Sequence, residues 1–194
     1  ILVAGTYAFN GANALSGPMT IKSAVVNVGP GRALTTNALS LQTSSTSAGG
    51  STLNLGGTTL TIPALSISLA GGTSTQARNV FTNGSLAVTG GNLLVNTGVA
   101  SALTGTTTLD LSGLSNFSYT NAAGAVTVQT SGTSAAAFTT VMNLANSTSG
   151  SNVITAASVS VGASSSGATA SNSTLALGRN SNVINTGTLQ IGGY

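Results

Sequence analysis

Residues Ser151 to Gly162 read SNVITAASVSVG, and residues Ser181 to Gly193 read SNVINTGTLQIGG. The two phrases start 30 residues apart (151 to 181); their apolar letters keep their places while the polar letters between them drift. Written as N-V-φ-x-x-x-[ST]-φ-x-φ, with φ a bulky apolar residue, the phrase occurs as Asn152-Val153-Ile154 with Ser158-Val159-Ser160-Val161, and as Asn182-Val183-Ile184 with Thr188-Leu189-Gln190-Ile191. An earlier copy is Asn79-Val80-Phe81 with Ser85-Leu86-Ala87-Val88, and a degraded one is Arg32-Ala33-Leu34 with Ala38-Leu39-Ser40-Leu41. Repeats of this size cannot bury their apolar face alone, so they stack. The pattern therefore predicts an all-β chain folded as a parallel β-helix, or β-solenoid, in a single unit over residues 1–194. Inward apolar residues form columns and outward positions are free to vary.

Outside the phrase, apolar residues recur at spacing two in short bursts, such as Leu60 and Ile62, Leu65 and Ile67, or Val126 and Val128. That period marks half-buried strands. Clusters of Gly, Asn, Ser and Thr between the bursts read as corners. The nearest approach to a helix is Ser134 to Asn146, which lacks a sustained 3.6-residue stripe. With coils of about 20 to 25 residues, the chain is expected to make roughly eight or nine. Asn79, Asn152 and Asn182 are expected at the corners, in the left-handed conformation and bonded to the coil above. The core columns are expected to hold Val80, Leu86 and Val88, then Val153, Val159 and Val161, then Val183, Leu189 and Ile191.

Only 3% of the 194 residues are charged. Lys22, Arg32, Arg78 and Arg179 are the cations and Asp110 is the one acid; there is no Glu, His, Cys or Trp. The sequence pI of about 10.0 thus reflects missing acid. Four scattered cations do not make the basic stripe that nucleic acid or an anionic membrane surface requires. Disorder is disfavoured by a hydrophobic content of 41% with three prolines. No apolar run is long enough for a membrane-spanning helix, so no membrane insertion is expected. The opening ILVAGTYAF has neither a basic region nor a small-residue exit typical of a signal peptide. A start without Met and a stop just after a repeat suggest a segment or processed product.

Catalysis is disfavoured by the same count. A glycosidase needs two carboxylates, and Ser-His-Asp or Cys-His sites need residues the chain lacks. Zinc ligands are missing, and a calcium site would rest on Asp110 alone. No enzyme activity, cofactor or metal is expected. Asp110, between Leu109 and Leu111, is expected to face solvent, as are Lys22 and Arg179. Gly29 to Arg32 lacks the strand and helix context of a P-loop. The N-x-[ST] triplets at Asn83, Asn116, Asn146 and Asn172 are frequent by chance in such a sequence. Thr-x-Thr pairs such as Thr59 and Thr61 do not recur in the aligned copies, which disfavours ice binding.

TYAFNGANALSGPMTI (Thr6 to Ile21), GGSTLNLGGTTLTI (Gly49 to Ile62) and STLALGRNSNVINTGTLQIGG (Ser173 to Gly193) resemble the autotransporter-associated β-strand repeats of large bacterial surface proteins. The resemblance implies a right-handed coil, export, and an extracellular or cell-surface place. It carries no catalytic motif. The expected function is a rigid spacer or fibre-forming segment whose partners are its own kind, stacked end to end, or neighbouring repeats of the same chain. The alternative is an adhesin that holds a glycan or host surface through polar loops, notably Gly162 to Thr174.

Overall fold

The computed structural model describes residues 1–42, 49–68, 76–98, 105–131, 138–162 and 171–192. Every paired strand among them is parallel to its neighbour, and no helix occurs among the described residues. The strands form three columns. The first contains β2 (Asn13–Leu15), β4 (Leu34–Thr36), β7 (Thr59–Ile62), β10 (Ser85–Val88) and the leading halves of β13 (Asn116–Ser131), β15 (Ser151–Val161) and β17 (Ser181–Ile191). The second contains the leading parts of β1 (Leu2–Phe9) and β3 (Met19–Val28), then β5 (Leu39–Gln42), β8 (Leu65–Ser68), β11 (Leu93–Gly98) and the trailing halves of β13, β15 and β17. The third runs from the trailing parts of β1 and β3 through β6 (Thr52–Asn54), β9 (Gln76–Thr82), β12 (Gly105–Gly113), β14 (Phe138–Asn143) and β16 (Ser171–Ala176). The chain is a β-solenoid.

Register gives this stack its core. In the second column Leu2 pairs with Ile21, and the pairing continues through Leu41, Ile67, Val95, Val128 and Val161 to Ile191. Each inner member covers the one below, so exposure is 0% at Ile21, Leu41, Val95 and Val128, rises to 7% at Val161, and reaches 77% at Ile191, which no described residue covers. At one strand spacing per step the column is about 34 Å long. The expectation of eight or nine coils is not confirmed. The column has eight members among the described residues, and its steps lengthen from 19 residues (2 to 21) to 33 (95 to 128). The insertions fall where strands end, because a residue added inside a strand would flip every following side chain to the other face.

Corners are turned by backbone conformations that few residues tolerate. The left-handed asparagine is Asn83 (φ 54), not one of the three expected ones; its backbone amide donates to the Gly113 carbonyl at 2.9 Å and its side-chain amide to Asn54 Oδ1 at 3.2 Å. Beside it, a Cβ on Gly84 would meet the Thr58 carbonyl oxygen at 2.4 Å. Residues 43–48, 69–75 and 99–104 lie outside the described residues. So do 134–137 of the run Ser134 to Asn146, of which Phe138–Asn143 form strand β14.

Leu41→Ala, in the middle of the column, is expected to cost about 2–5 kcal/mol in urea unfolding. Ile191→Ala, in the same column but uncovered, is expected to cost under about 1 kcal/mol. Equal losses at the two positions would contradict a column that is buried by stacking.

Candidate functional site: the asparagine corner and the open ends

The repeated asparagines occupy strands. Asn152 and Asn182 are the second residues of β15 and β17, and they pair directly across the two coils. Asn152 is 2% exposed and points inward. Its side chain acts as a peptide group: Oδ1 accepts from the Ala145 amide at 2.9 Å, and Nδ2 donates to the Ala145 carbonyl at 2.9 Å and to Asn182 Oδ1 at 3.0 Å. Asn182 repeats the arrangement on its own coil, accepting from the Gly178 amide at 3.0 Å and donating to the Gly178 carbonyl at 2.8 Å and the Asn180 carbonyl at 3.1 Å. Gly178 is required there, since a Cβ would fall 1.9 Å from the Ala145 carbonyl oxygen. Below Asn152 in the same column stand Phe117, Leu86 and Leu60. Two links, Leu114 and Ser115, join β12 to β13, whereas residues 144–150 join β14 to β15. The longer link has backbone groups to satisfy, and a buried amide supplies both partners.

Asn79 is a different residue in structural terms. It lies in β9, in the third column, and pairs with Leu109. Its Oδ1 accepts from the Ser51 amide at 3.1 Å, while its buried Nδ2 has no hydrogen-bond partner. The grouping of Asn79 with Asn152 and Asn182 as one corner is therefore corrected. All three are strand residues facing inward or half inward, and none has a positive φ. The physical reason is period two. Where the asparagine faces in, the following valine faces out, so Val80 and Val153 are half-buried and Val183 is 41% exposed, contrary to their expected core role. Leu86, Val88, Val159 and Val161 are buried as expected. Leu189 and Ile191 hold inward register but are 54% and 77% exposed, because they lie on the last coil.

Asp110 is not a surface residue. It is 3% exposed, and Arg78, one coil away at a separation of 32 residues, forms an ion pair with its Oδ2. Oδ1 accepts from the Ser112 amide at 3.0 Å and from the Ser112 hydroxyl at 2.6 Å. The register shifts between Asp110 and Gly113, so the carboxylate holds together a β-bulge. Burial pushes the Asp110 carboxyl up, but the Ser112 hydroxyl, Arg78 and the Ser112 amide outweigh it and hold it below the usual range. A repeat length near 30 was the signal that could have paired the two charges. Tyr119, buried in the first column, donates its hydroxyl to the Gly91 carbonyl at 2.6 Å, and burial pushes its pKa up.

The third column carries an inward row in which Ala77 is followed in register by three hydroxyl-bearing residues, Thr107, Thr140 and Ser173. The Thr107 and Ser173 hydroxyls have no hydrogen-bond partner. This row was not foreseen, since threonine at a strand position reads equally well inward or outward.

Both ends of the stack are open. At one end a cleft of about 450 Å³ is lined by Leu2, Phe9, Leu15, Pro18 and Met19 among others. At the other a cleft of about 390 Å³ is lined by Val161, Ser173, Leu175, Ile184, Leu189 and Ile191 among others. Neither cleft gathers the convergent polar and titratable groups of a reactive site. What such surfaces offer is apolar contact beside a row of unpaired backbone groups. No family model, curated protein or solved structure matches the chain.

Because Asp110 is the only side-chain carboxylate, its lowered pKa has a readable consequence. Its stabilising effect is fully present above the unfolded pKa and is lost as pH falls through the lower folded value. Urea titrations should show stability declining from about pH 4 downward, and a nearly flat profile for Asp110→Asn, which at neutral pH costs about 1–3 kcal/mol. Thr107→Val removes an unpartnered hydroxyl and keeps the shape, so it is expected to leave stability unchanged or raise it by up to about 1 kcal/mol. A loss above that in the same titration would mean the hydroxyl is engaged.

Proposed function

We propose that the chain is a structural repeat module of a bacterial surface protein, a rigid spacer or fibre-forming segment working outside the cell. The observation that carries this reading is that apolar columns run in register from coil to coil, while the described residues gather no cluster of reactive groups. The likeness of Thr6 to Ile21, Gly49 to Ile62 and Ser173 to Gly193 to autotransporter-associated repeats supports the same reading. A right-handed coil is proposed with it, since parallel strands joined by crossovers favour that hand strongly. No catalytic step, cofactor or metal belongs to the proposal. The adhesin alternative depends on Gly162 to Thr174, expected as a polar loop; 163–170 lie outside the described residues, Ser171 to Thr174 belong to strand β16, and no described side-chain cluster favours it.

The spacer reading is tested by height. A terminal probe anchored through one module should rise by about 34 Å when a second is fused in tandem, as read by neutron reflectometry. Replacing residues 163–170 by a Gly-Ser stretch should leave that rise intact. No added height would overturn the spacer, and a selective glycan-array signal lost on the replacement would establish the adhesin.

A further inference from the structure

The fold treats the four Asn-x-Ser/Thr triplets of the chain differently. Asn83 stands at the corner before Gly84, and its Nδ2 donates to Asn54 Oδ1 at 3.2 Å. Asn116 opens β13; its Nδ2 donates to the Ser85 hydroxyl oxygen at 3.2 Å, and its Oδ1 accepts from the Ser151 amide at 2.9 Å. Asn172, Ser173 and Thr174 lie within β16, in register with Thr139, Thr140 and Val141 of β14. Of the four, the triplet Asn146, Ser147 and Thr148 alone lies wholly outside the strands, in the link 144–150 from the third column to the first.

This link is fixed at its ends and presented in its middle. The Leu144 amide donates to the Ala176 carbonyl at 2.9 Å, Leu144 and Ala145 are buried, and the Gly150 carbonyl accepts from Asn180 Nδ2 at 2.7 Å. Between these anchors Asn146, Thr148 and Ser149 are exposed. The Ser149 amide donates to the Ser147 hydroxyl oxygen at 3.3 Å, which holds the turn. Asn146 Oδ1 accepts from the Arg179 amide at 3.0 Å, so the side-chain amide is oriented with Nδ2 directed away from that contact. Among the described residues, no hydrogen bond engages this Nδ2 or the Thr148 hydroxyl.

We propose that Asn146 is an acceptor for an N-linked sugar, with Thr148 completing the acceptor triplet and a nucleotide-activated saccharide as donor. In the transfer, Nδ2 forms a bond to the anomeric carbon and the bond from that carbon to the pyrophosphate oxygen breaks. The nucleoside diphosphate leaves with the electron pair, and Nδ2 gives up one proton. Nδ2 keeps its other hydrogen and Oδ1 keeps its lone pairs, so the bond from the Arg179 amide survives the modification. At Asn83 and Asn116 the same step would place a sugar where Nδ2 meets Asn54 or Ser85. At Asn172 the backbone is tied to β14 and must open before a transferase can bind it. Asn172-Ser173-Thr174 and Asn146-Ser147-Thr148 are the same three residues in letters, so the fold, not the triplet, selects between them. The link lies at a corner on the side of the stack, where a sugar leaves the apolar columns untouched. The proposal goes beyond the spacer reading and does not depend on it.

The folded chain, incubated with a soluble asparagine-linked glucosyltransferase and UDP-glucose, is expected to gain one hexose, placed at Asn146 by peptide mapping. Addition at Asn146 should be at least about tenfold faster than at Asn172, because the strand must open first. Synthetic peptides spanning the two triplets should be modified at similar rates. N146Q and T148A should abolish the addition, T148S should retain it, and N172Q should leave it unchanged, with circular dichroism showing each variant folded. T148A alters only an exposed side chain, so its result does not hinge on stability. A folded chain that gains no sugar while the peptides do, equal rates at Asn146 and Asn172 in the folded chain, or addition at Asn146 that survives T148A would each overturn the proposal.

Discussion

Each strand of this molecule is held by the strand one coil below and one coil above, and the fold depends on that relation being in register. A parallel ladder at about 4.8 Å places like positions over one another. Whatever faces inward at one coil must therefore fit its counterpart at the next. The run from Ile21 through Leu41, Ile67, Val95 and Val128 satisfies this with branched aliphatic residues of similar volume. The relation also explains how length variation is accommodated. Extra residues enter at strand ends or bulges, as between Asn121 and Ala125, while the strands on either side keep their pairing.

Polar residues inside the stack follow from the same constraint. A longer link between columns brings backbone groups into a dry interior, and these need partners. Asn152 and Asn182 meet that need with one amide each and bond to one another as well. Asp110 does so at a bulge, with Arg78 offsetting its charge. The inward row of Thr107, Thr140 and Ser173 stacks hydroxyl-bearing side chains in register from coil to coil. A molecule almost free of charge thus concentrates its polar interactions at the places where regular stacking is interrupted.

Much of the architecture was legible in the sequence. Period-two bursts located most of the strands, since burial on one face alone enforces alternation. The pair of SNVI phrases marked strands that do stack residue on residue, from Ser151 over Ser181 to Val161 over Ile191. The phase within the phrase was not legible. Asparagine followed by valine invites the apolar residue inward, and only the interior demand for hydrogen bonds at Ala145 and Gly178 turns the asparagine inward instead. The copy at Asn79 matched in letters but straddles a different pair of columns, because its two halves are separated by the corner at Asn83 and Gly84. The ion pair of Arg78 and Asp110 needed the coil length to be known before its partners could be aligned. The open ends depend on which coils lie last, a property of the assembled stack that no local pattern expresses.

The central claim is that successive phrases are stacked rungs of one straight column, and spin-label distances test it most directly. Thr20, Ser40, Ser66, Leu94, Thr127, Ser160 and Gln190 occupy one outward column in consecutive pairings. Labels at Thr20 and Thr127 should lie about 19 Å apart, and labels at Thr20 and Gln190 about 29 Å apart, both as narrow distributions. A distance that fails to grow between the two pairs, or broad distributions in both, would contradict the stacked-column account.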